Sequence, residues 1–247
     1  MHDEITVGVQ FNTTPVNGAK VGFPAIGSYV FEHLPFAREV HKAVVFVWPF
    51  FPHRGDELDH MEGLLKDVLP GFGITVIACE VTDWNLELSP WKGASIDGSI
   101  LGGGGADFLN WIQSSLFPWI NGQGIVSEKC YMMGYSLAGL FAMWSLYETD
   151  LFDGAVCGSG SFWFEGWSDY AKTHALRKKA SVYLSLGGKE DKTDHPLMAT
   201  VGMKTKELEA LLRSDPLTER IVFEKNSGGH FADSVKRLIK GILWIVR

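Results

Sequence analysis

A hydroxyl, a carboxylate and an imidazole, in that order along the chain, are the groups of this sequence whose types and surroundings can do chemistry together. Ser136 stands at the centre of Gly134-Tyr135-Ser136-Leu137-Ala138-Gly139, between a strand-like run, Cys130-Tyr131-Met132-Met133, and a helix-like run, Leu140-Phe141-Ala142-Met143-Trp144. A strand that breaks into a helix at a tight corner exposes the corner side chain and aims backbone N–H groups at whatever that side chain attacks. Gly134 and Ala138, two before and two after the serine, are small enough for the corner to close, and Gly139 lets the helix lie near the strand. The Gly-x-Ser-x-Gly/Ala string is common by itself. Its strand-to-helix context is what marks Ser136 as a nucleophile.

A serine hydroxyl attacks poorly until an imidazole takes its proton and later returns it to the leaving group. His230 is the natural partner, because it follows the last strand-like run in Asn226-Ser227-Gly228-Gly229-His230-Phe231, where two glycines free the backbone to turn the ring toward the serine. His2, His33, His41 and His174 have no comparable setting. A carboxylate must then fix the imidazole tautomer, and it is expected after a strand lying between serine and histidine. The run Ser181-Val182-Tyr183-Leu184-Ser185-Leu186 is such a strand, and the loop after it carries Glu190, Asp191 and Asp194. Asp194, two before Pro196, reads as a helix cap. Glu190 is the preferred acid and Asp191 its rival, with Lys189 and Lys192 placed to pair with whichever is unused.

The oxyanion formed in acyl transfer needs backbone donors, one from the residue after the nucleophile and one from the loop after an earlier strand. These are the N–H of Leu137 and the N–H of Phe50 or Phe51, since Pro49 has none to give. Phe162 and Trp163, with Phe164 and Trp167, follow the strand next to the nucleophile, and they and Tyr135 are expected to line the substrate pocket. Trp84 or Trp91 could form a further wall.

These groups require a scaffold that brings several strand ends to one edge. Short apolar runs alternate with helix-like stretches from residue 40 onward, the pattern of an α/β domain with a mostly parallel central sheet and helices on both faces. Strands are expected over residues 43–48, 74–80, 129–133, 152–157, 181–186 and 220–224, and helices over 56–69, 106–119 and 233–246. Residues 5–11 and 28–31 read as antiparallel edge strands. The stretch 82–105, with four glycines at 102–105, reads as a long irregular loop leading into a helix capped by Asp107. It lacks the Gly-Lys-Ser/Thr ending of a phosphate loop.

Composition narrows the function classes. At 247 residues and 46% hydrophobic, the chain suffices for one domain spanning 1–247. A net charge of −7 without a basic cluster argues against nucleic acid. Every apolar run is interrupted too soon for a membrane span. Cys79, Cys130 and Cys157 form an odd set without metal spacing, and the start lacks a secretory pattern, so a cytoplasmic location is expected. His53, Asp56, Glu57, Asp59 and His60 read as a solvated acidic helix start rather than a metal site. No metal and no cofactor is called for.

The Gly134-Tyr135-Ser136-Leu137-Ala138-Gly139 corner, Ser159-Gly160-Ser161-Phe162-Trp163 after the next strand, Gly187-Gly188-Lys189-Glu190 and Gly229-His230 together resemble the putative esterase family of α/β-hydrolases, the group containing esterase D and the enterobactin-type siderophore esterases. The resemblance runs from about residue 40 to the end. In such relatives the acid often sits three residues past a glycine, which fits Glu190 counted from Gly187 and Asp191 counted from Gly188. The chain departs from the family at Ala138, where many members carry Gly, and at Trp48-Pro49-Phe50-Phe51, where many have a His-Gly type loop. The resemblance implies an α/β-hydrolase fold and a serine hydrolase that cleaves carboxylic esters of small molecules through an acyl-enzyme. The chain between Cys157 and Ser181 has room for one helix and none for a large lid domain. An acyltransferase using the same three residues, or a non-catalytic ligand-binding member of the fold, are the alternatives; a homo-oligomer is left open.

Overall fold

Strands buried on both faces need apolar side chains at every position, and helices must then cover each face. The computed structural model describes residues 31–35, 43–50, 56–68, 74–122 and 127–247. In chain order these form β1 (Phe31–Pro35), β2 (Ala43–Phe50), α1 (Asp56–Val68), β3 (Ile74–Glu80), α2 (Trp84–Glu87), β4 (Lys92–Ala94), β5 (Ile100–Gly102), α3 (Gly105–Trp111), a π-helical turn (Ile112–Leu116) and α4 (Phe117–Gly122). The second half continues with β6 (Ser127–Tyr135), α5 (Leu137–Glu148), β7 (Gly154–Gly158), α6 (Trp167–Thr173), β8 (Ala180–Gly187), α7 (Val201–Ser214), β9 (Thr218–Asn226) and α8 (Ser234–Val246).

Among the described residues seven strands make the central sheet, in the order β1-β3-β2-β6-β7-β8-β9. All neighbours are parallel except β1, which runs antiparallel to β3 with Phe31 opposite Cys79. Of the antiparallel edge strand expected over 28–31, Phe31 lies in β1; residues 5–11 and 28–30 lie outside the described residues.

The two-residue period of the strands sorts their side chains into two cores. Val45, Val47, Ile77, Cys79, Cys130, Met132, Ala155, Cys157, Val182 and Leu184 face one side, under α3, α5 and α7. Phe46, Trp48, Val76, Ala78, Tyr131, Met133, Val156 and Tyr183 face the other, under α1 and α8. α5 is buried from Leu137 through Tyr147, as expected of a helix that is apolar all round. α8 is amphipathic, and Val235, Leu238, Ile239, Ile242 and Ile245 are its buried apolar residues.

The stretch expected to be one long irregular loop is more ordered than its glycines suggest. It holds α2, capped by Asp83, whose carboxylate accepts from the Leu86 N–H at 2.9 Å, and the β4–β5 hairpin. Gly104, not Asp107, occupies the cap position of α3. Asp194 likewise does not cap α7, whose cap position is Thr200. In both cases an aspartate of the right type lies near the helix start, while the backbone turns at another residue.

Candidate active site

The carboxyl ends of parallel strands share one edge of a sheet, so β6, β7, β8 and β9, adjacent in that order, bring their following loops together. Ser136 is the corner between β6 and α5, with φ 59° and ψ −121°. A non-glycine residue in such a region is strained by roughly 1–3 kcal/mol and persists only where its surroundings hold it. Here the Ser136 N–H donates to the Gly158 carbonyl at 2.9 Å, and the Ser136 carbonyl accepts from the N–H groups of Gly139, Leu140 and Ser161.

His230 lies in the loop between β9 and α8. Gly228 in that loop has φ 88°, a conformation that favours glycine. The loop is tied to the one after β8: the Gly188 N–H donates to the Asn226 carbonyl at 2.8 Å and the Lys189 N–H to the Gly228 carbonyl at 3.0 Å. This fastening brings His230 between the other two groups. Its Nε2 is 3.0 Å from the Ser136 Oγ and its Nδ1 is 2.8 Å from Glu190 Oε2.

Of the two rival carboxylates, Glu190 reaches the imidazole. Asp191, one residue on, points away toward Lys225, 3.9 Å distant, rather than to Lys189 or Lys192. Glu190 is only 4% exposed. Burial works against its charged form, but hydrogen bonds from His230, from the Ser159 hydroxyl and from the Gly187 N–H outweigh that effect and hold the carboxyl below the ordinary range.

Three further side chains complete the arrangement. The Ser159 Oγ donates to Glu190 Oε1 at 2.6 Å, and the Tyr135 hydroxyl donates to the His230 carbonyl at 2.6 Å. Arg237 of α8, 1% exposed, forms an ion pair with Glu190 at 2.9 Å. Sequence reasoning gave Ser159 and Arg237 no role. Arg237 is hidden in a one-dimensional reading because its neighbours Lys236 and Lys240 are ordinary exposed cations of the same helix.

A cavity of about 440 Å³ opens over Ser136 and His230. Trp48, Phe50, Trp84, Ile96, Met198 and Phe231 give it a largely apolar wall, with Tyr135 beside the serine and Glu57 a charged group on its lining. Tyr135 and Trp84 are both on this lining. Phe162, expected there, is not: its ring is buried in the core and stacks on Trp167 at 5.8 Å between centroids. Trp163 is partly exposed and outside the cavity wall. Trp91 packs against Phe164 and Tyr170 instead. Phe162, Phe164 and Trp167 join the core cluster that holds the buried residues of α5, which sequence spacing does not reveal. Leu137 begins α5, so its N–H lies in the first helical turn, where donors have no intrahelical acceptor. Phe50 ends β2 at the cavity; Phe51 and His53 lie outside the described residues. Among the described residues no three His, Cys, Asp or Glu side chains group as metal ligands, and no helix is long and apolar enough to cross a membrane.

A mostly parallel sheet between helix layers, with a strained serine at a strand-to-helix corner facing a histidine from the last loop, defines an α/β-hydrolase. Comparison with known proteins makes the class narrower: residues 83–240 match the model of the putative esterase family, to which the chain belongs, and it is a carboxylic ester hydrolase. It is 26% identical over 169 residues to the uncharacterized protein YbbA of Bacillus subtilis (strain 168), covering 64% of this chain and 68% of that one. Among solved structures it is similar to the siderophore hydrolase EstB from Aspergillus nidulans, with TM-score 0.72 and 19% identity over 98% of this chain and 95% of the other. It is also similar to an IroE-like serine hydrolase from Shewanella oneidensis, with TM-score 0.71 and 18% identity over 87% and 74% of the two chains.

Proposed function

We propose that the protein is a serine esterase that hydrolyses small carboxylic esters through an acyl-enzyme, with Ser136 as nucleophile, His230 as general base and acid, and Glu190 as the acid that orients the imidazole. The observation that carries this reading is a single ring with both nitrogens engaged, Nε2 at 3.0 Å from the Ser136 Oγ and Nδ1 at 2.8 Å from Glu190 Oε2. Ser136 Oγ attacks the ester carbonyl as His230 takes its proton. The Leu137 N–H and the N–H of Phe50 or Phe51 receive the developing oxyanion. His230 returns the proton to the departing alcohol, then activates a water that attacks the acyl-enzyme and releases the carboxylic acid and Ser136.

The aromatic and aliphatic lining of the cavity favours an ester whose acyl or alcohol part is apolar. The free, buried cysteines suit the cytoplasmic location expected from the sequence. The purified chain is expected to turn over p-nitrophenyl acetate and to be labelled at Ser136 by a fluorophosphonate, as read by peptide mass spectrometry. Ser136→Ala is expected to lower kcat by at least roughly 10³-fold. Undiminished turnover in that variant, or no labelling of the native protein, refutes the reading.

A further inference from the structure

We infer that Arg237 is a positioning residue, one guanidinium that sets both the rotation of the Glu190 carboxylate and the placement of the His230 backbone. The inference rests on the roles just proposed for Glu190 and His230, and it is carried by the direction of every hydrogen bond in the cluster. Arg237 Nη1 lies 2.9 Å from Glu190 Oε1, 2.8 Å from the Ser159 Oγ and 2.8 Å from the Tyr135 hydroxyl. Its Nη2 donates to the Gly229 carbonyl at 2.8 Å and lies 3.3 Å from the Ser227 carbonyl.

Both hydroxyls have committed their single hydrogens. Ser159 has two acceptors in reach, Glu190 Oε1 at 2.6 Å and the Tyr135 hydroxyl at 3.0 Å, and gives its hydrogen to the nearer, charged one; Tyr135 gives its own to the His230 carbonyl. Each therefore accepts from Arg237, which has no acceptor capacity and is always charged. Nη1 has two hydrogens for its three acceptors and so shares one between two of them, and the Gly187 N–H is a further donor to Glu190 Oε1.

Two arms leave the guanidinium. On one, Oε1 of Glu190 is occupied by Arg237, by Ser159 and by the Gly187 N–H at 2.6 Å, so the carboxylate cannot rotate and Oε2 is the oxygen left for His230 Nδ1. On the other, Arg237 holds the carbonyl of Gly229 directly and that of His230 through Tyr135. The planar fork of arginine suits this double attachment, whereas the point charge of lysine does not. A buried ion pair is weak evidence for stability, since well-packed apolar residues often do as well. Alignment of two catalytic groups is a role that apolar packing does not fill.

The test is a double-mutant cycle on p-nitrophenyl acetate hydrolysis, with folding of each variant checked by circular dichroism melting. Arg237→Met is expected to lower kcat roughly 10²-fold, the scale of a misplacement near 1 Å, with KM changed little. Arg237→Lys keeps the charge and loses the fork, and is expected to recover about one tenfold step of that loss. In Glu190→Gln, where the acid arm is already broken, adding Arg237→Met is expected to cost clearly less than it does in the native protein, what remains being the loss of the arm to the His230 backbone. If Arg237→Met does not fold, Arg237→Lys carries the test, and wild-type kcat in it overturns the inference. So does a folded Arg237→Met with wild-type kcat, or a double variant whose losses multiply. Absence of turnover and of Ser136 labelling in the native chain would instead refute the esterase reading itself.

Discussion

Gly134 and Ala138 touch across the bend that carries Ser136: a Cβ placed on Gly134 would stand 2.2 Å from the Ala138 carbonyl oxygen and 2.7 Å from its Cβ. The obstacle is helix backbone, which cannot swing aside as a flexible side chain would. The strained serine between them is held from both sides of this contact, so the two small residues and the nucleophile form one unit.

Gly134→Ala is therefore expected to push α5 away from the end of β6. Overpacking of this kind costs about 1–3 kcal/mol and sometimes more. Thermal melting should show a lowered Tm, and ester turnover should fall by roughly 10²-fold as the serine leaves its position relative to His230. Wild-type turnover in a folded Gly134→Ala protein would contradict the strained-corner account.

Glu190 and Asp191 are neighbours in sequence with opposite expectations. Glu190→Gln removes the acceptor at His230 Nδ1 and should lower kcat by roughly 10²–10⁴-fold. Asp191→Asn removes only a long, partly exposed contact to Lys225 at 3.9 Å, and screened pairs of this kind contribute little. Its kcat should stay within about twofold of wild type, the range of a surface change away from the site. Steady-state kinetics on the two variants separates them.

Acid stability should carry the mark of Glu207 on α7. The Lys172 ammonium, partly opposed by burial and helped by Lys204 and Ser168, holds its carboxyl down to about 2 from an ordinary 4.5. A carboxylate depressed in the folded state stabilises above its unfolded value and loses that contribution as pH falls through the folded one. The difference in Tm between wild type and Glu207→Gln should thus be fully present above pH 4.5 and shrink as pH falls to about 2. Because Lys172 is half exposed, salt should reduce the difference throughout. A difference independent of pH would contradict the assignment.

Much of the positional order was legible in the chain. Strands β2, β3, β6, β7 and β8 announce themselves as apolar runs because a parallel sheet buries both their faces. The serine corner and the glycine-bearing histidine loop are local signals: each needs small residues within a few positions, and those can be read directly. Gly102 to Gly105 misled, since glycines that suggest a flexible lead-in here allow close backbone approach. The Gly103 N–H donates to the Ser89 hydroxyl at 2.7 Å and the Gly104 N–H to the Leu86 carbonyl at 2.8 Å. Phe162 misled for the opposite reason, as an aromatic after a strand reads alike whether its ring turns to the cavity or to Trp167.

The sequence by itself determined the layered α/β plan, the serine corner and the order of the three reactive groups, because burial period and turn chemistry act over short stretches of chain. Only the tertiary structure decided that Glu190 rather than Asp191 meets His230, that Trp84 and Phe231 rather than Phe162 and Trp163 wall the cavity, and that Arg237 sits behind the acid. Those outcomes depend on which way a side chain points after the chain has folded back on itself. Arg237 meets residues from three strand ends far from it in sequence, and no local pattern encodes that meeting.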